Sequence, residues 1–291
     1  MRRPFEFAAL LLVLLLNACS ILPSGDDRAA QMPKPLGSVS KLRPCTAPIP
    51  SPWPGKAKAR EWPFFGRNAA RQQRSPLEFT SSNLEKLWSY DLGEHTYEYR
   101  SGTNLWSESP IAIEHEKRIM LIAGAYDHKV HCLDGLSGER LWRFTTGDEI
   151  VASPAAQGNL LVVPSTDRSI YGLDMEGSRR WVKETLQWRQ TVSPASMSSP
   201  LILKWQDRDY LAMGYYINDF GRSTRIQEGR ACMLSLDSGE ELWSKFLRQD
   251  LVFGPAAALC QGRPLLFYAT GDGVVCCLDA RNGDQIGRAH V

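Results

Sequence analysis

One sequence pattern returns four times and constrains the fold more than any other feature. Leu133-Asp134-Gly135-Leu136-Ser137-Gly138-Glu139-Arg140-Leu141-Trp142 is followed by Leu173-Asp174-Met175-Glu176-Gly177-Ser178-Arg179-Arg180-Trp181. Then come Leu234-Ser235-Leu236-Asp237-Ser238-Gly239-Glu240-Glu241-Leu242-Trp243 and Leu278-Asp279-Ala280-Arg281-Asn282-Gly283-Asp284-Gln285. In the three complete copies the Trp stands four residues after the Gly. Seven residues before each Leu-Asp aspartate position is an acidic residue, Asp127, Asp167, Glu228 or Asp272, expected in a turn. Upstream, a small residue precedes a proline at Ser109-Pro110, Ser153-Pro154, Ser199-Pro200 and Gly254-Pro255. The proline opens a short strand, as in Ile111-Ala112-Ile113, and an apolar run such as Leu160-Leu161-Val162-Val163 follows a polar turn. The acidic turn then leads to a third strand, and Asp-x-x-x-Gly reverses the chain into a fourth that carries the Trp. Asp bonds a turn's own backbone and Gly supplies positive φ, which is hairpin chemistry. Four antiparallel strands per repeat make a propeller blade, whose faces are buried only against neighbouring blades. The chain is therefore read as all-β, a β-propeller of four-stranded antiparallel blades over residues 61–285. About four blades are present, an incomplete ring with no helix of note.

The pattern resembles the quinoprotein (PQQ-type) repeat, Leu-Asp-x-x-Thr-Gly-x-x-x-Trp, with Ser or Asn at the Thr position here. Glu61-Trp62-Pro63-Phe64-Phe65-Gly66-Arg67-Asn68 is similar to the lead-in of such propellers. Leu84-Glu85-Lys86-Leu87-Trp88-Ser89-Tyr90 is then expected as a Trp-bearing strand that closes the first blade. WD40 propellers share the architecture but carry a Trp-Asp signature that is missing. The resemblance implies two divergent roles, since some relatives are dehydrogenases holding PQQ and Ca²⁺ and others are lipidated envelope scaffolds.

The residues weigh against an enzyme. Cys276-Cys277 matches the adjacent cysteines of quinoprotein dehydrogenases, but it fills the third-strand slot held by Val130-His131-Cys132 and Tyr171-Gly172, where small core residues are ordinary. On a strand, residues three apart such as His128 and His131 point to opposite faces, so a turn histidine and a strand histidine are expected rather than a metal pair. There is no Gly-rich phosphate loop, Gly-x-Ser-x-Gly elbow or His-Glu-x-x-His. Catalytic, cofactor-binding and metal residues are each assigned as none, and no cofactor is expected. Lys+Arg of 34 against Asp+Glu of 32, with no basic cluster, argues against a nucleic-acid partner.

Residues 1–19 read as an export signal. Arg2 and Arg3 precede the apolar run Phe7 to Leu16, about half the length a membrane-spanning helix needs. Leu16-Asn17-Ala18-Cys19 resembles the lipobox of bacterial lipoproteins, which implies that Cys19 is acylated and becomes the new N-terminus. Ser20, rather than Asp, beside it implies the outer membrane. Residues 20–60, rich in Pro, Ser and Gly, read as a disordered tether. The six remaining cysteines are expected in an oxidising compartment, with no pairing assigned. The expected location is the bacterial cell envelope, on the periplasmic face of the outer membrane, with the membrane contacted through the lipid on Cys19.

The repeat rule demands a Trp at position 287, where Gly287 stands. Residues 286–291, Ile-Gly-Arg-Ala-His-Val, match a reading frame of a sequencing adapter and are expected to be an artefact. Closure takes about six to eight blades, so the natural protein is expected to continue. Strand counting puts the long excursions Gly93 to Ser107, Val182 to Ser198 and Ile217 to Arg230 on one face. They carry Tyr97, Tyr99, Trp106, Trp188 and Phe220, the expected anchors for a protein partner from the envelope. The functional expectation is a non-catalytic, lipid-anchored, protein-binding scaffold of the bacterial cell envelope, with outer-membrane protein assembly as the process it would serve. The alternatives are a PQQ-dependent dehydrogenase with its site in missing blades and a ligand-sensing propeller.

Overall fold

A computed structural model describes residues 63, 86–91, 110–184, 192–193, 198–219, 226–248 and 253–290. They form four antiparallel sheets. The first blade is β1 (Ile111–His115), β2 (Arg118–Gly124), β3 (Lys129–Asp134) and β4 (Arg140–Thr145). The second is β5 (Ala155–Gln157), β6 (Leu160–Pro164), β7 (Ser169–Leu173) and β8 (Arg179–Glu184). A short β9 (Val192–Ser193) pairs with the third blade, which is β10 (Leu201–Trp205), β11 (Arg208–Asp219), β12 (Ile226–Ser235) and β13 (Glu241–Arg248). The fourth is β14 (Ala256–Cys260), β15 (Arg263–Ala269), β16 (Val274–Asp279) and β17 (Gln285–His290). Each sheet runs in simple chain order, so every blade is an up-and-down meander. Among the described residues there is no helix.

The four repeats thus become four blades of an incomplete propeller, and each starting proline falls one residue before β1, β5, β10 or β14. The alternation along each strand explains why the sheets stack. In the second blade Ala155, Val162 and Ile170 join a core shared with the third and fourth blades. Their neighbours Ala156, Leu161 and Val163 join a core shared with the first. Successive side chains point to opposite faces of a strand, so one sheet closes two seams. Buried apolar residues therefore lie between blades rather than inside them.

The Asp-x-x-x-Gly turn lies between third and fourth strands, as expected. Asp134 Oδ1 accepts the amides of Leu136 and Ser137 at 2.9 and 3.0 Å. Those amides, Ser137 first, hold the Asp134 carboxyl below its usual range. Asp174 Oδ1 accepts Ser178 N at 2.7 Å, and Asp279 Oδ1 accepts Arg281 N at 3.0 Å. Gly138, Gly177, Gly239 and Gly283 have φ of 73°, 83°, 69° and 73°. That is the left-handed region where a Cβ is costly.

The structure gives the repeated Trp a role beyond marking the fourth strand. Each indole reaches the turn of the following blade. Trp142 Nε1 donates to Met175 O at 2.7 Å, Trp181 to Leu236 O at 3.1 Å and Trp243 to Ala280 O at 2.9 Å. The ring lies on the turn glycine: a Cβ at Gly177 or Gly239 would come within 2.7 or 2.6 Å of indole carbons. The glycine is thus required twice, for its positive φ and for the approach of the indole.

Two expectations are corrected. Residues 86–91 carry no strand, yet Trp88 Nε1 reaches Gly135 O at 3.3 Å and docks on the first blade as the other Trp residues dock on theirs. Glu228 is not in a turn. It lies within β12 opposite Ile217, because β11 and β12 extend as a long hairpin.

Candidate functional site

The face expected to bind a partner carries the second-to-third turns and the links between blades. Tyr97, Tyr99, Trp106, Trp188 and Phe220 all lie outside the described residues, as does Cys19. The excursions are shorter than the sequence suggested. Val182–Glu184 completes β8, while β11 and β12 carry Ile217–Asp219 and Ile226–Arg230 into the third sheet. The extended hairpin forms because Met213 to Ile217 is a run of apolar and aromatic residues at strand spacing, which fits a pleated sheet.

What is described of this face is a stitched polar platform. In the first turn Asp127 Oδ1 accepts Lys129 N at 3.1 Å, and Asp127 Oδ2 meets His131 Nε2 at 3.0 Å. The other ring nitrogen of His131 faces Tyr90 Oη at 3.4 Å. His131 is buried, whereas His128 sits in the turn with φ of 65° and faces Asp148 at 4.0 Å. His131 thus stands on β3 and His128 in the turn that precedes it. In the second blade Tyr171 takes the place of His131 and donates to Asp167 Oδ2 at 2.6 Å. Burial first, and then Asp167, raise the Tyr171 phenol above its ordinary value.

The link between these blades is fastened to both turns. Gly147 N donates to Asp167 Oδ2 at 2.7 Å, and Thr166 Oγ1 donates to Glu149 O at 3.0 Å. Thr146 Oγ1 lies 3.0 Å from His128 O and 2.6 Å from Asp148 O. Phe144 and Tyr171 meet edge to face across the seam, their centroids 5.5 Å apart. Polar groups tied this way form a rigid base from which loops can present side chains.

Cys276 and Cys277 occupy adjacent positions on β16, the first buried and the second half-buried, and both are free thiols. Alternation points them to opposite faces of the sheet. Burial pushes the Cys277 thiol up to about 11, and Cys132 and Cys232 up to about 12. A nucleophilic or redox cysteine needs the reverse shift, so these thiols behave as core side chains. Cys260 is disulfide-bonded. Among the described residues no group of His, Cys, Asp and Glu could hold a metal ion, and no helix is long and apolar enough to cross a membrane.

The family described as outer membrane protein assembly factor BamB matches residues 84–286. No curated protein matches the chain. Europium-containing methanol dehydrogenase superposes with a TM-score of 0.51 at 14% identity, over 80% of this chain and 58% of that one. The quinohemoprotein alcohol dehydrogenase ADHIIG from Pseudomonas putida HK5 gives 0.48 at 13% identity, over 80% and 48%. BamB from Moraxella catarrhalis gives 0.33 at 18% identity, over 62% and 60%. The chain spans about half the length of the alcohol dehydrogenase. The likeness to the methanol dehydrogenase is one of fold.

Proposed function

Because the chain belongs to the family of the outer membrane protein assembly factor BamB, we propose that it is a non-catalytic scaffold in the bacterial envelope. In this reading it serves outer-membrane protein assembly, is held to the membrane through a lipid on Cys19 and works on the periplasmic face of the outer membrane. The observation that carries the reading is the family match, which covers the first three blades and the fourth as far as the start of β17. Two features support it. The platform between the first and second blades is tied by hydrogen bonds into a fixed base on the face that would meet a partner. In the adjacent cysteine pair, burial pushes the Cys277 thiol up to about 11, away from the range of a reactive cysteine.

The partner surface in this reading is the face of the excursions, with Tyr97, Tyr99, Trp106, Trp188 and Phe220 as anchors. Aromatic anchors dominate interface energies, and a strong one costs about 2 kcal/mol or more when truncated. Trp188→Ala combined with Phe220→Ala should therefore weaken capture of envelope proteins by about thirtyfold or more, with an unchanged far-UV spectrum. A pull-down from envelope extracts measures this. If only substitutions on the opposite, short-turn face weaken capture, the face is wrongly assigned.

A further inference from the structure

The seam between the third and fourth blades contains a cleft of about 270 Å³ on the short-turn face. Trp205, Tyr210, Met233, Leu242 and Trp243 form one wall and Arg281 stands on the other. Its origin is readable from the repeat. The residue after the turn's Asp or Ser is Met175 in the second blade and Leu236 in the third, each only 2% exposed, so those side chains fill their seams. In the fourth blade that position is Ala280, which leaves the volume of a larger side chain empty. The mouth differs as well. Between the first and second blades, His115 and Glu176 approach within 3.6 Å across the seam. The corresponding positions here are Trp205 and Arg281, an indole and a guanidinium.

Charge decides what could enter. Arg281 is the charged side chain lining the cleft. Arg281 and Arg263 share one buried carboxylate, Asp279, at 2.6 and 2.9 Å, and both remain about half exposed. The Arg281 bond, foremost among the causes, holds the Asp279 carboxyl well below its usual range. Two guanidiniums against one carboxylate leave a net positive charge beside an apolar cleft. The volume falls below the roughly 300–1,000 Å³ of drug-sized ligand sites, which suits one or two side chains rather than a cofactor. Leu242, at 47% exposure, extends the apolar wall outwards.

We propose that this cleft binds an extended peptide segment that inserts an aromatic or long aliphatic side chain beside Trp243 and places an adjacent carboxylate against Arg281. The inference rests on the protein-scaffold reading but uses the face opposite the excursions. The probe is a capped pentapeptide with one phenylalanine followed by one aspartate, titrated into the full chain. The Met233 methyl and Trp243 indole resonances should shift in a saturable way. A peptide with lysine replacing the aspartate should bind about tenfold more weakly or worse. Ala280→Leu restores the residue type found at position 236, so it should fill the cleft and abolish the shifts without lowering the thermal midpoint. Equal binding of the lysine peptide, an undiminished response in Ala280→Leu, or no shift at millimolar peptide each overturns the proposal. Where envelope proteins are still captured through the excursion face, such a result removes the cleft and leaves the scaffold reading standing.

Discussion

Trp243→Ala should cost about 3–5 kcal/mol, the range for deleting a buried Trp or Phe. Trp243 is 9% exposed, and its indole donates to Ala280 O while lying on Gly283. Removal leaves a cavity at the seam and strips a buried carbonyl of its donor, and both effects act in the same direction. Domains have about 5–15 kcal/mol of stability in total, so the loss is about a fifth or more of it. Because blades are coupled to their nearest neighbours, the effect should be local. Amides of β14 to β17 should lose hydrogen-exchange protection while those of β1 to β4 keep theirs. Trp243→Phe keeps much of the packing and loses the hydrogen bond, so it should cost about 1 kcal/mol from that bond, plus a smaller packing loss. Urea unfolding of both variants measures the difference. A loss below about 1 kcal/mol for the alanine variant would show that the indole is not the fastening between blades.

Cys19→Ser should change membrane attachment from complete to absent. The apolar run Phe7 to Leu16 is about half the length of a spanning helix, so it has no means of holding the chain in a bilayer by itself. A single acyl chain gives marginal binding, and each buried CH₂ adds about 0.8 kcal/mol. Stable anchoring therefore needs more than one chain, as the lipobox resemblance implies. Metabolic labelling with palmitate should mark the wild type and leave the serine variant unlabelled as a full-length precursor. Labelling that persists in the variant would end the lipoprotein proposal.

Much of the fold was legible because the repeat encodes local chemistry. The starting prolines, the Asp and Gly of the third turn and the alternating apolar runs each specify something within a few residues of themselves. The docking of Trp142 on Gly177 was harder to see, since the partners belong to different blades and lie 35 residues apart. The signal was present all the same, as each turn carries a glycine and each preceding blade ends in a Trp. Glu228 misled because an acidic residue before Gly229 looks like a turn, while the strand pairing that overrides it comes from Tyr215, Tyr216 and Ile217. Trp88 misled in the opposite way: it has the docking role of a blade-closing Trp without the strand. The opening at Ala280 could not be read from the repeat at all. A small residue after the turn's Asp is unremarkable until Met175 and Leu236 are seen to fill the same position in other seams.

The central claim is that this propeller binds proteins rather than a quinone. Photo-cross-linking of the full chain in intact envelopes, with the probe at position 188 and adducts identified by mass spectrometry, tests it most directly. The account predicts defined adducts with proteins of outer-membrane assembly, lost when the probe is moved to the exposed outer strand at position 180. A chain that gives no protein adduct from position 188 would contradict it.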